Sequence, residues 1–332
     1  MRVLVTGGGG FLGGRLARRL LALGGQVAVY GRRRYPSLPA GIEQVQGDLR
    51  DLETLSKAIQ GRVTVFHAGA ITGIWGSRRE FESINVQGTQ NVVDACLRAG
   101  VSRLIHTSSP SVVFGDKDLM GVDESVPYPK TYRCHYPRTK AEAERRVLAA
   151  HGQQGLLTAA LRPHLIWGPE DPHLLPRLVD RARRGRLVRV GDGANRVDIT
   201  YIDNAVEGHI RAMEALQPGS PAGGRPYFLS DGEPVVLWDW INRLLAAAGI
   251  AEVTRSISYR TARILGGVLE AVYAGLRLRQ EPPMTPFLAG QLAASHYFNI
   301  SAARKDLGYH PVVTPETAWE RTLQWLKARP TG

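Results

Sequence analysis

Cysteine is nearly absent. Two of 332 residues, Cys96 and Cys134, carry thiols, and no CxxC pair occurs. That excludes a disulfide framework and a cysteine-based zinc site, so no metal centre is expected. It also points to a reducing, cytoplasmic compartment. Long apolar runs are missing as well. The most apolar stretch, Thr261 to Leu278, is broken by Arg263, Glu270 and Arg277 and falls short of the ~20 residues of a membrane-spanning helix. It could cover an apolar pocket, lie on a membrane surface or pack on a partner, and covering a pocket is the plainest expectation. Acid is in short supply: 30 acidic residues face 42 basic ones, a net charge of +12. The arginines are scattered, with clusters at Arg32 to Arg34 and Arg181 to Arg186. No recognition motif accompanies them, so nucleic acid is not an expected partner. A solvated basic surface is the plain reading, and attraction to a cofactor phosphate, an acidic substrate or an anionic membrane the sharper one.

What is present has a clear order. Val3 to Val5 is an apolar strand at the very start, so no leader segment is expected ahead of it. Thr6 to Gly13 follows, and Leu12, Leu16, Leu20 and Leu23 then mark an amphipathic helix closed by Gly24 and Gly25. Strand, glycine turn and helix together are the context of a dinucleotide fingerprint. Gly7, Gly10 and Gly13, with Phe11 and Leu12 opening the helix, would bring backbone N–H groups to a pyrophosphate. The second strand, Gln26 to Tyr30, ends at Gly31 and Arg32. No carboxylate stands there to hold a ribose 2′-hydroxyl, whereas Arg32 could hold a 2′-phosphate, so NADP(H) is favoured, with NAD(H) as the alternative. Ile42 to Gln46 is a third strand, followed by Asp48 and Leu49 where an adenine edge would lie. Val63 to Phe66 is a fourth. The small residues Ala68, Gly69 and Ala70 after it let a cofactor pass close to the backbone.

A helix is expected over Phe81 to Gly100, a fifth strand over Arg103 to Thr107, and hydroxyls from Ser108 and Ser109 at its carboxyl end. Open α/β sheets bind ligands at that edge. Tyr136 and Lys140 then lie four apart on a helix reaching about Ala150, one turn from each other on one face. A cation beside a phenol favours the phenolate and would lower its pKa, which suits proton transfer with a substrate oxygen. A sixth strand, Leu156 to Leu161, leads into Arg162-Pro163-His164. Strands alternating with helices of this length imply an α/β, Rossmann-type, doubly wound parallel sheet. The dinucleotide-binding domain is placed at 1–167. From 168 to 332 prolines, glycines and shorter elements mark a smaller substrate lobe, with segments such as Thr200 to Asn204 returning to the core.

Taken with their order, these motifs resemble the extended short-chain dehydrogenase/reductase superfamily, and within it the 3β-hydroxysteroid dehydrogenase family. The resemblance covers essentially the whole chain. It rests on Thr6 to Gly13, Asp48-Leu49, Ser108-Ser109, Tyr136 to Lys140 and Arg162 to Gly168. Asn195 to Asp198, Tyr201 to Asn204 and Leu307 to Pro311 add to it. Two branches are similar: the bacterial 2-alkyl-3-oxoalkanoate reductases of olefin biosynthesis and the sterol-4α-carboxylate 3-dehydrogenases. Gly73 to Gly76 and Ser108 to Phe114 lean toward the first. The resemblance implies an NAD(P)-dependent oxidoreductase acting on CH–OH or C=O groups in lipid metabolism. Tyr136 would be the proton donor and Lys140 its electrostatic partner and a ribose ligand. Ser109, with Ser108 second, would orient the carbonyl, and Pro163 and Leu165 would face the nicotinamide. It implies a hydrophobic keto acid or sterol as substrate and a homo-oligomer. Peripheral membrane or multi-enzyme contact is a further expectation, and it comes from the apolar stretch Thr261 to Leu278. A sugar-nucleotide epimerase or dehydratase, and a redox-sensing binding protein without turnover, are the competing readings. The apolar content of Leu237 to Leu278 argues against the first, and the complete Tyr136, Lys140 and Ser109 set against the second.

Overall fold

Val3, Leu4 and Val5 have no solvent exposure at all. An unbroken apolar run of this kind suits a strand covered on both faces, the mark of a parallel sheet with helices on each side. The computed structural model describes residues 1–115 and 117–328. Among them, seven strands form one parallel sheet: β1 (Arg2–Thr6), β2 (Gln26–Gly31), β3 (Glu43–Gln46), β4 (Thr64–His67), β5 (Arg103–Thr107), β6 (Leu157–Pro163) and β7 (Arg225–Leu229). Their order is β3-β2-β1-β4-β5-β6-β7. β1 pairs with β2 on one side, Val3 opposite Val27, and with β4 on the other, Val3 opposite Thr64. The strand order therefore reverses at β1, where ligands bind in such sheets.

The helices are set by local chemistry. α1 (Phe11–Ala22) buries Leu12, Leu16 and Leu20 on the sheet, each contributing roughly 1.5–3 kcal/mol. α2 (Leu52–Ile59) is capped by Asp51, whose carboxylate accepts from the N–H groups of Glu53 and Thr54, both at 3.1 Å. The helix expected over Phe81 to Gly100 runs from Arg78 to α3 (Gly88–Arg98), but Glu82–Gln87 between them is a π-helix. Asn85 lies in this wider turn, and its carboxamide binds both backbone groups of Ile71, at 2.8 and 3.1 Å. π segments of this sort are frequent at functional sites. α4 (His135–Ala149) carries Tyr136 and Lys140.

After residue 167 the chain divides its work. α5 (Ile202–Ala215) packs beside α1, and β7 closes the large sheet next to β6. The sequence reading named 200–204 as returning but did not name this seventh strand. A second, four-stranded sheet is assembled from Leu119–Val122, Arg196–Val197, Val235–Val236 and His296–Phe298, so it draws on a segment before residue 167 as well as on those after it. The lobe also holds α6 (Tyr259–Gly275) and α7 (Pro286–Ala293). Trp167, Trp240 and Trp319 pack together, with ring centroids 5.0 to 5.6 Å apart. Among the described residues no helix is long and apolar enough to cross a membrane.

Candidate active site

The loop between β1 and α1 is built for close approach. Gly7 has φ +68°, and a Cβ there would stand 2.8 Å from the backbone of Gly69. A Cβ on Gly13 would stand 2.3 Å from the Gly7 carbonyl oxygen. Only glycine fits either place, and the loop holds its shape through Gly10 N–H donating to Gly7 O at 2.9 Å. The result is a shallow cradle at the N-terminus of α1, open where Phe11 and Leu12 begin the helix. Backbone N–H groups at a helix N-terminus favour an anion. Ala68, Gly69 and Ala70 form the far wall of the cradle, and Gly69 N–H donates to Thr6 Oγ1 at 3.1 Å. Asp48 and Leu49 lie beside it. The Asp48 carboxylate is held by Arg50 at 2.7 and 2.9 Å, and that hydrogen bonding keeps its pKa below the usual range. Leu49 O accepts from Asn91 at 2.8 Å. Arg32 is exposed at the end of β2, next to Gly31.

At the carboxyl end of β5 the side chains of Ser109 and Tyr136 meet. Ser109 Oγ accepts from Ser111 N–H at 3.2 Å and from Ser111 Oγ at 2.9 Å, which leaves its own proton free to donate elsewhere. Tyr136 is half-buried, one residue inside α4. Burial pushes its phenol above the usual pKa, and the neighbouring Ser109 hydroxyl pulls it part of the way back. Ser108 is buried, and its hydroxyl has no protein partner.

Lys140 departs from the sequence expectation. Its Nζ donates to Thr107 O at 2.5 Å and lies 3.2 Å from His106 Nε2. A cation spent on a strand carbonyl and an imidazole is not what sets the phenol, so the expected lowering of the Tyr136 pKa by Lys140 is corrected: burial raises it. Lys140 is itself shifted. Burial lowers it from 10.5 to about 8, and Glu144, one turn along α4, opposes the shift. A depressed amine favours the folded state when neutral. Its cost is fully present below about pH 8 and fades as pH rises toward 10.5. The stability of the native protein relative to Lys140→Met is therefore expected to rise across that window. Urea denaturation at several pH values checks this, and a flat difference would contradict it.

All along this site, the chain is similar to known proteins. A family model described as the 3-beta hydroxysteroid dehydrogenase/isomerase family matches residues 4–258. The chain belongs to this family. A 2-alkyl-3-oxoalkanoate reductase of Stenotrophomonas maltophilia is 48% identical over 99% of each chain. A decarboxylating sterol-4-alpha-carboxylate 3-dehydrogenase of Mus musculus is 36% identical, covering 96% of this chain and 89% of that one. The solved structure of MoeE5 in complex with UDP-glucuronic acid and NAD is 26% identical with a TM-score of 0.74, covering 98% of this chain and 99% of that chain. As a member of the 3β-hydroxysteroid dehydrogenase family, the protein is an NAD(P)-dependent oxidoreductase with a Rossmann fold, and it takes a nicotinamide dinucleotide and a small-molecule substrate.

Several residues of this family member's site were not legible beforehand. His106 and its contact with Lys140 were missed, and no role was foreseen for Asn85, which also donates to Thr139 Oγ1 at 3.2 Å and so ties the Ile71 loop to α4. Glu144 and Arg162 form a bidentate ion pair at 2.6 and 2.9 Å with almost no exposure. Tyr128 donates to the same carboxylate at 2.5 Å. Spacing gave no signal for these, because each joins elements far apart in sequence. His67, at the end of β4, is buried between Thr6 and Thr89 at 2.8 and 2.9 Å, and burial lowers its pKa to about 3. Cys134 precedes α4, with burial pushing its thiol up to about 12, far from a reactive thiolate. Pro163 ends β6, and Leu165 after it has φ +41°, a strained backbone for leucine. The intervening His164 is fixed by its N–H donating to Leu229 O at 3.2 Å.

Proposed function

We propose that the protein is an NADPH-dependent ketoreductase that converts a long-chain 2-alkyl-3-oxo acid to the 2-alkyl-3-hydroxy acid. The observation that carries the substrate is the 48% identity, end to end, with a protein named for that reaction. When bound, NADPH supplies the hydride that reduces the ketone carbon. The chain supplies the rest. Gly7, Gly10, Phe11, Leu12 and Gly13 hold the pyrophosphate, Arg32 the 2′-phosphate, and Asp48 and Leu49 border the adenine. Ala68 to Ala70 give the cofactor room, and Pro163 and Leu165 face the nicotinamide. Lys140 Nζ binds the nicotinamide ribose from its seat on Thr107. Ser109 Oγ, with Ser108 behind it, donates to the substrate oxygen and orients it. Tyr136 Oη delivers the proton to that oxygen as charge develops. The phenol is in its protonated form at neutral pH, as a donor in the reducing direction must be. The test is NADPH oxidation with a 2-alkyl-3-oxo acid and a 3-ketosteroid side by side, repeated from the hydroxy-acid side with NADP+. Faster turnover of the steroid would move the assignment to the sterol branch.

Cofactor choice can be tested separately. A guanidinium grips a phosphate through paired N–H donors. Charged hydrogen bonds contribute roughly 1.5–3 kcal/mol each, so Arg32→Ala is expected to cut the NADPH/NADH ratio of kcat/KM by about 10- to 100-fold. Gly31→Asp adds a ribose acceptor and a charge that repels phosphate, which should reverse the preference. Its Cβ would stand 2.8 Å from the Tyr35 hydroxyl, the far end of a side chain that can swing aside. An unchanged ratio in Arg32→Ala would mean that this arginine only meets solvent.

A further inference from the structure

Helix α6 has two apolar faces, and only one is packed. Ala262 and Gly266 are buried, and a Cβ on Gly266 would stand 2.6 Å from the backbone of Thr285. Tyr273 meets the Trp75 ring edge-on at 6.3 Å, and Trp75 Nε1 donates to Leu278 O at 3.0 Å. The other face stands in water. Ile264 is 61% exposed, Val268 56% and Leu276 67%, with Leu265, Val272 and Leu278 above 40%. At about 100° per residue, Ile264, Leu265, Val268, Val272 and Leu276 fall on one stripe along the helix. Six of the ten large hydrophobic side chains that stand exposed among the described residues are here, which makes this a patch and not the usual scatter.

The charges around the stripe have one sign. Arg260, Arg263, Arg277 and Arg279 are exposed on the helix and the turn after it. The helix has one acid, Glu270, which is half-buried on the inner side, close to Cys134 and Arg133. Thus the packed side of α6 looks toward the start of α4, where Tyr136 lies, and the outer side offers aliphatic groups rimmed by arginine. A second copy of this chain is a poor occupant, because a two-fold contact would set the same arginines against each other. A folded protein partner would need roughly 800 Å² per side, with aromatic anchors that this stripe lacks.

We propose that α6 lies flat on an anionic lipid surface, with its aliphatic stripe in the headgroup–acyl boundary and its arginines on the lipid phosphates. Helices that do this combine an apolar face with basic flanks and are too polar to span. The consequence for catalysis rests on the long-chain substrate reading above: docking sets the cleft behind α6 against the phase in which such a molecule dissolves.

The experiment is co-sedimentation of the full chain with vesicles of equal parts phosphatidylglycerol and phosphatidylcholine, and with pure phosphatidylcholine, at low and high salt. No substrate is added, so the result stands apart from the keto-acid assay, and either can fail alone. The native protein is expected to bind the anionic vesicles at least tenfold more tightly than the neutral ones, and to be released by salt. Leu265→Glu/Val268→Glu/Val272→Glu should lose vesicle binding while keeping its thermal unfolding and NADPH affinity, since these side chains already face water. Arg260→Gln/Arg263→Gln should lose the preference for anionic lipid. Three results would overturn the proposal: native protein that stays in the supernatant, a triple-glutamate variant that sediments like the native one, or a native dimer that the same variant splits without any vesicle binding.

Discussion

Tyr136→Phe is expected to lower turnover by ~10²–10⁴-fold, the usual contribution of general acid–base catalysis, with little change in NADPH affinity. The substitution removes one oxygen and keeps the ring that α4 packs. It leaves the glycine cradle untouched, and Lys140 keeps its seat, because its hydrogen bonds go to Thr107 O and His106. Cofactor binding and proton delivery are thus separable at this residue. Ser109→Ala should cost less alone, and the double variant should cost less than the product of the two, since in the proposed reaction the phenol and hydroxyl serve one substrate oxygen. Single-turnover rates at saturating NADPH, with affinity followed by cofactor fluorescence, make the measurement. A Tyr136→Phe protein with near-native turnover would place the proton donor elsewhere.

The second large effect is on stability. Arg162→Met leaves the Glu144 carboxyl unexposed and without its ion-pair partner. Breaking a buried pair by removing one member costs roughly 3–5 kcal/mol, because the remaining charge cannot reach water. Arg162→Met/Glu144→Leu removes both charges and should recover most of the loss, as apolar replacement of a whole buried pair is often neutral. Recovery should stop short of complete, because the Tyr128 hydroxyl, now 2.5 Å from Glu144, then lacks its acceptor. Urea denaturation of the two variants tests the ordering. If Arg162→Met loses less than about 1 kcal/mol, the pair is not the buried lock described here. The double variant has a second readout. Glu144 raises the Lys140 pKa, so its loss should lower that value further below about 8 and move any activity that needs the ammonium to lower pH.

The sequence by itself determined what depends on near neighbours. Alternating strands and helices, each set by a short run of side chains, specified the parallel sheet. Gly7 and Gly13 were legible because a strand, a tight turn and a helix within thirteen residues leave glycine few other uses. Tyr136 and Lys140 were placed on one helical face because spacing alone decides that. The tertiary structure decided what depends on partners far along the chain. The second, four-stranded sheet draws on segments near 120, 197, 236 and 297, and strands of two to four residues carry too little periodicity to be paired from a distance. β7 escaped notice although Arg225–Leu229 is as long as β1, because its place beside β6 is a long-range choice. The downward shift of the Lys140 pKa was not legible because a pKa follows the local environment, and the burial that lowers it is supplied by the sheet as well as by α4. Residues 261–278 show the same limit. Their composition told of apolar surface, but only packing shows that Ala262 and Gly266 took the inner face and left Ile264, Val268 and Leu276 in solvent, since a helix that is apolar nearly all round does not state in its sequence which side the rest of the chain will cover.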